Sequence, residues 1–96
     1  MTEAIFQKQC ISKAKRRGWL AYKFASPSHR GVPDCIFIYK GRVIFIEFKN
    51  PNGRGMVSAL QKRKIAELES HGADCFVVDN MGLFSEIIEF IESEAA

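Results

Sequence analysis

An α/β domain with elements in the order α-β-β-β-α-β-α is predicted by three features of the sequence. Two β-rich apolar runs, Cys35 to Tyr39 and Val43 to Phe48, flank Lys40-Gly41, which fits a two-residue hairpin turn with Gly supplying a positive φ. Helical stripes with capping signals stand on either side of the strand region, from Thr2 to Arg17 and from Ser58 to His71. A further apolar run, Ala73 to Asp79, then a helical arc of apolar residues from Leu83 to Ile91, complete the order.

Thr2 caps the first helix and Gly18 stops it. At 3.6 residues per turn Glu3, Phe6, Gln7, Cys10 and Ala14 share a stripe, with Lys8, Lys15 and Arg16 opposite. Ile5 lies off the stripe, which allows for a second buried face. Glu3 is a carboxylate on the core-facing side, where the helix dipole also favours it; a plain first-turn acid reads the same way. Leu20, Tyr22 and Phe24 alternate with Ala21 and Lys23 in a first strand, and Ala25 to Arg30 reads as a Ser/Pro loop. His29 is expected as an exposed loop histidine, and Arg30 is close enough to the hairpin end to touch a phosphate. Pro33 suits a strand start because it has no N–H for a ladder, and it pushes Val32 into an extended conformation. Asn50 to Gly55 is a loop by composition, in which Arg54 is either solvated or a substrate contact. Ser58 caps the second helix and Gly72 ends it. Val57, Leu60, Ile65 and Leu68 approximate its apolar side, and Lys62, Arg63 and Lys64 form a basic cluster. Gln61, three residues after Ser58, is ambiguous: its spacing suits a capping box, a purely structural role, and leaves a second role open. The consecutive Phe76, Val77 and Val78 imply a last strand buried on both faces. The apolar arc of the last helix is wider than one sheet face needs, which leaves both core packing and a dimer contact open.

In the hairpin register set by the turn, Tyr39 faces Arg42 and Asp34 faces Glu47. Side chains alternate faces, so Asp34, Ile36, Ile38, Val43, Phe45, Glu47 and Lys49 project to one side. Opposed Cβ atoms lie roughly 4.5–5.5 Å apart, close enough for the two carboxylates to share a cation. Phe37, Tyr39, Ile44, Ile46 and Phe48 make the second side apolar as well, as in strands covered on both faces. The charges at the end of such a hairpin are either a salt-bridged strand end or a divalent-metal site with an attendant lysine.

The chain has 96 residues, 47% hydrophobic and 26% charged, with a net charge of +3. These values describe one globular domain, and no apolar run reaches the roughly 18 residues of a membrane span. The N-terminal segment lacks the basic-then-apolar form of a signal peptide, so a cytoplasmic protein is expected. Cys10, Cys35 and Cys75 read as reduced core residues, and the spacing of His29 and His71 argues against a zinc site. Basic residues load the first third, including Lys8, Lys13, Lys15, Arg16, Arg17, Lys23 and Arg30, while Glu86, Glu89, Glu92 and Glu94 load the last helix. The basic portion suits a phosphate backbone or a solvated helix face.

Pro33-Asp34 followed by Glu47-Phe48-Lys49, with Gly31 ahead of the Pro and Gln61 in a downstream helix, resembles the PD-(D/E)XK nuclease superfamily. The fuller pattern is similar to the VRR-NUC (virus-type replication-repair nuclease) domain in its stand-alone form; the resemblance spans Glu3 to about Val78, and the expected domain is residues 1–96. The resemblance implies a single restriction-endonuclease-like domain with a mixed central sheet flanked by helices. It implies Asp34 and Glu47 as ligands of Mg²⁺ or Mn²⁺, aided by the backbone carbonyl of Phe48, with Lys49 catalytic. Glu3, reaching the metal site from the first helix, and Gln61 are implied as supporting residues. Arg30, Arg54, Lys62, Lys15 and Arg16 are the expected nucleic-acid contacts.

The expected activity is that of a metal-dependent, structure-selective DNA endonuclease working as a homodimer on branched DNA such as Holliday junctions, in a bacterial cell or phage-infected host. No membrane partner and no small-molecule cofactor beyond the metal are expected. The alternatives are a nuclease acting on linear DNA, a nuclease-like fold that only binds nucleic acid, and an interaction subunit using the apolar last helix.

Overall fold

A computed structural model describes residues 1–24 and 28–95; the Ala25–Pro27 part of the expected loop lies outside the described residues. Seven elements follow in the expected order: α1 (Glu3–Arg16), β1 (Leu20–Lys23), β2 (Cys35–Tyr39), β3 (Arg42–Phe48), α2 (Ala59–Ser70), β4 (Asp74–Val78) and α3 (Met81–Glu94). The strands form one sheet in sequence order, β1-β2-β3-β4, antiparallel except for the parallel β3–β4 pair, hence mixed.

The β2–β3 turn fixes this geometry. Lys40 and Gly41 both have positive φ, 46° and 85°, the requirement of the tight hairpin turn whose twist matches the strands. Tyr39 accordingly pairs with Arg42 and Cys35 with Ile46. The α2 crossover then brings β4 alongside β3, with Glu47 beside Val77 and Phe48 beside Val78.

One face of the sheet carries the core. Phe6, Cys10 and Ala14 of α1 and Phe84, Ile87, Ile88 and Ile91 of α3 cover Cys35, Phe37, Ile44, Ile46, Phe48 and Val78. Phe37 and Phe48 sit at its centre, with ring centroids 5.6 Å from Phe84 and 5.7 Å from Phe6 respectively, in edge-on contacts. Cys10, Cys35 and Cys75 are free thiols, and burial pushes the first two up to about 12.

The other face departs from the expected double coverage. Leu20, at 47% exposure, and Tyr22, at 56%, share it with Ile36, Ile38 and Val43, and α2, which buries no residue fully, leaves the β1–β2 side open. The inward residues of β1 are therefore Ala21 and its neighbour Trp19 rather than Leu20 and Tyr22. Val77 is also partly exposed, so β4 is not buried on both faces, and Ile5 stands outward without forming a second buried face of α1. For the sheet the physical reason is that α1 and α3 supply one complete layer, while the 12 residues of α2 cannot cover the opposite side of four strands.

Candidate metal-ion and nuclease site

Asp34 precedes and Glu47 follows the last pair of the β2–β3 ladder, Cys35–Ile46. The same register carried one step outward sets Asp34 against Glu47 at a non-hydrogen-bonded position, the closer of the two antiparallel spacings. Carried one step further it sets Pro33 against Phe48, where proline has no N–H to donate to the Phe48 carbonyl. Lys49 is held by the other neighbour, its backbone N–H donating to the Val78 carbonyl at 2.9 Å.

Glu47 is only 7% exposed. Burial, and next the charge of Asp34, hold its carboxyl above the ordinary carboxylate value, while Lys49 pulls in the opposite direction. A buried carboxylate facing a second one is short of positive charge, and the lysine alone does not offset it. Lys49 Nζ lies 3.6 Å from Glu47 Oε2 and donates to Gln61 Oε1 at 2.9 Å. Gln61 Nε2 in turn donates to Glu47 Oε2 at 3.2 Å.

Gln61 thus stands in the cap of α2 and against Lys49 and Glu47 at once. Its Oε1 accepts from the Ser58 backbone N–H at 3.0 Å, and its own N–H donates to Ser58 Oγ at 3.1 Å, which is the complete capping box. The same amide joins Lys49 to Glu47. Gly31 makes this docking possible: it has φ +85°, and a Cβ there would stand 2.9 Å from Leu60 Cγ and 3.0 Å from the Leu60 carbonyl oxygen. Only glycine lets the loop before Pro33 approach the first turn of α2 so closely.

Glu3 is exposed at the start of α1, makes no hydrogen bond to the pair, and acts on Glu47 only as the last contributor raising its pKa. The α1 residue that touches the site is Gln7, one turn further on and only 5% exposed. Its Nε2 lies 3.4 and 3.5 Å from the two Asp34 oxygens and 3.2 Å from Cys35 Sγ. The sequence carried a signal for it: a polar amide on the core stripe between Phe6 and Cys10 needs a buried partner.

Arg30, Arg54 and Lys62 are exposed beside the loop before Gly31, in the loop after Lys49 and beside Gln61, so they flank the pair in sequence. Lys15 and Arg16 are exposed at the opposite end of α1, roughly 18–20 Å along its axis from Glu3 at 1.5 Å per residue. Among the described residues no three His, Cys, Asp or Glu side chains gather into a complete metal cage. The available donors are two carboxylates and a main-chain carbonyl. That hard, incomplete set suits Mg²⁺ or Mn²⁺, the former usually keeping several waters, and does not suit zinc.

An open mixed sheet with α1 and α3 on one face and α2 across the other, and an acidic pair with a lysine at the strand ends, defines a restriction-endonuclease-like α/β nuclease fold. Residues 2–81 match the profile of the VRR-NUC domain, and the chain belongs to that family of nucleases. It is 36% identical over 84 residues to "Putative nuclease p44" of Acyrthosiphon pisum secondary endosymbiont phage 1, covering 86% of this chain and 88% of that protein. A solved structure described as "VRR_NUC domain" superimposes with a TM-score of 0.80 at 26% identity, covering 91% of this chain and 94% of the other. A second, "VRR_NUC domain protein", gives 0.78 at 21% identity, covering 96% and 89%, and bears on the fold alone. No helix among the described residues is long and apolar enough to cross a membrane.

Proposed function

We propose that the protein is a Mg²⁺- or Mn²⁺-dependent endonuclease that hydrolyses phosphodiester bonds in branched DNA, such as four-way junctions, as a homodimer in the cytoplasm of a bacterial or phage-infected cell. The observation that carries this reading is the buried Glu47, which feels the charge of Asp34 and has Lys49 tied to it through Gln61.

Asp34, Glu47 and the Phe48 carbonyl are the groups that would hold the ion. When bound, it supplies polarisation of the phosphoryl group and acidification of the attacking water. Lys49 contributes a compact positive charge beside Glu47, suited to orienting that water or offsetting charge that grows on the phosphoryl oxygens. Gln61 holds Lys49 and Glu47 at a fixed separation, Gln7 steadies Asp34, and Glu3 adds negative potential to the same corner. Arg30, Arg54 and Lys62, around this end of the sheet, are the candidates for phosphate contacts with the strand being cut.

A branched substrate is favoured because the sequence carries no helix-turn-helix or zinc-finger element to read base edges. A homodimer is favoured by the apolar surface of α3, where Phe90 is 62% exposed close to the half-buried Leu83. Two-fold symmetry would then present two equivalent sites to two strands of a junction.

Cleavage of a labelled four-way junction and a matched linear duplex, with Mg²⁺ or Mn²⁺ and with EDTA, tests the reading. Metal-dependent cuts in the junction are expected, reduced roughly 10²–10³-fold or more in Lys49→Ala, the range for losing one electrostatic contributor to a transition state. Binding without cleavage by the wild type would leave a nucleic-acid-binding module. Preferential cleavage of the linear duplex would overturn the branched-DNA assignment.

A further inference from the structure

A groove of about 590 Å³ runs along the outer side of α1, where that helix meets the start of α3. Lys8, Lys13 and Arg16 line it together with the polar Gln9 and Ser12. At 100° per residue these positions stand roughly 100–180° around the helix axis from Gln7, the residue that reaches Asp34. The groove and the acidic pair therefore open on different sides of α1.

Its charges are gathered along one helix without counter-ions. Arg17, Arg42, Lys49 and Lys64 each have a carboxylate oxygen within 4.0 Å, whereas Lys8, Lys13 and Arg16, like several other surface cations, have none among the described residues, and these three share one groove. Glu92, whose carboxyl feels Lys13, is already taken by Arg17 and Trp19. Lys13 Nζ donates to Ser85 Oγ at 2.7 Å, which anchors that ammonium at the α3 wall of the groove. Three uncompensated cations on one wall repel each other and favour an anion that meets all three.

We propose that this groove binds a second stretch of DNA backbone, separate from the stretch held at Asp34 and Glu47. Lys8 and Arg16 are eight residues apart, roughly 12 Å along the helix. Duplex DNA carries one phosphate charge per roughly 1.7 Å of axis, so about seven phosphates pass that length and each cation can meet one. A straight, short duplex at the catalytic corner does not turn around α1 into the groove; a substrate whose arms diverge, or a bent one, can occupy both surfaces. The inference rests on the nuclease reading for the identity of the polyanion, and it supplies a physical basis for preferring branched DNA.

The test is equilibrium binding in EDTA, with salt varied between about 50 and 200 mM, to a four-way junction and to a duplex of about 10 bp, one helical turn. Wild type is compared with the triple variant Lys8→Gln/Lys13→Gln/Arg16→Gln and with Lys40→Gln as a surface-charge control. The slope of log affinity against log salt is expected to fall by about 2.7 for the junction in the triple variant, about 0.9 per lost contact, and to stay near the wild-type value for the short duplex. The exposed single substitutions Lys8→Gln and Arg16→Gln, each expected to remove about 0.9, carry the test if the triple variant does not fold. An unchanged junction slope in the variants, with wild-type cleavage intact, overturns the groove and leaves the nuclease reading standing. An equal loss on the short duplex overturns the separateness of the two stretches. A wild type that neither binds nor cuts DNA overturns both.

Discussion

The face of the sheet beneath α1 and α3 and the face that carries Glu47 are filled by different means. On the first, Phe6, Phe37, Phe48 and Phe84 interlock with isoleucines, and apolar contact fills the centre. On the second, Glu47, Lys49 and Gln61 are held by hydrogen bonds whose members come from β3 and from the first turn of α2, while the β1–β2 side stays open. Close apolar packing and the hydrogen-bonded polar cluster thus occupy opposite sides of the same four strands. The hairpin alternation makes this possible, because consecutive residues such as Ile46, Glu47 and Phe48 serve opposite sides.

The sharpest way to break the division is from the packed side. Phe37→Ala is expected to destabilise the fold by about 3–5 kcal/mol, the cost of removing a buried aromatic ring and leaving a cavity, as measured by denaturant unfolding. On the other side, Mg²⁺ or Mn²⁺ should raise the stability of the wild type, by about 2.7 kcal/mol at 100 times its dissociation constant. In Glu47→Gln that metal-linked increase is expected to vanish together with cleavage. A thermal midpoint that rises equally in wild type and Glu47→Gln would remove the acidic pair as the metal site.

Ser58 and Gln61 separate the two sides further, because they share a cap but only Gln61 reaches Lys49 and Glu47. Ser58→Ala is expected to cost about 1 kcal/mol of stability, the usual worth of an N-cap, with cleavage at saturating DNA close to wild type. Gln61→Ala should cost a similar amount of stability and also lower the cleavage rate. If the two variants lose cleavage equally, the glutamine acts through the cap alone.

The smallest effect concerns Glu92, the counterpart of Glu47 on the packed side. Arg17 donates to it through Nε and Nη2 and Trp19 through Nε1, and the Arg17 hydrogen bond is the main cause that lowers its carboxyl below the ordinary value of 4.5. A depressed folded-state value contributes stability that is fully present above 4.5 and is lost as pH falls through the lowered value. Glu92→Gln should therefore be less stable than wild type at neutral pH, by at most about 1 kcal/mol for so exposed a pair. The gap should close on acidification below the ordinary carboxylate range. A gap that persists in acid would assign the contribution to packing around Trp19.

Much of the architecture was written locally. The Lys40-Gly41 turn fixed the pairing from Tyr39–Arg42 to Cys35–Ile46, and that register carried one step further points Asp34 at Glu47 without reference to any other element. Capping residues set the helix starts at Thr2 and Ser58 for the same reason: each signal spans three or four residues and is satisfied within its own turn. Gln7 was legible only as a polar residue on a core stripe, because its partner Asp34 lies 27 positions away and is found only when α1 is laid over the end of the sheet.

What the sequence by itself determined is the order of elements, the hairpin register and the carboxylate pair with its lysine, all consequences of backbone periodicity and turn geometry. The tertiary structure decided how widely each sheet face is covered, that one amide of Gln61 both caps α2 and joins Lys49 to Glu47, and that Lys8, Lys13 and Arg16 line a groove against α3. Those depend on where helices settle across the sheet, and helix placement is fixed by the summed packing of residues distant in sequence, which no local pattern encodes.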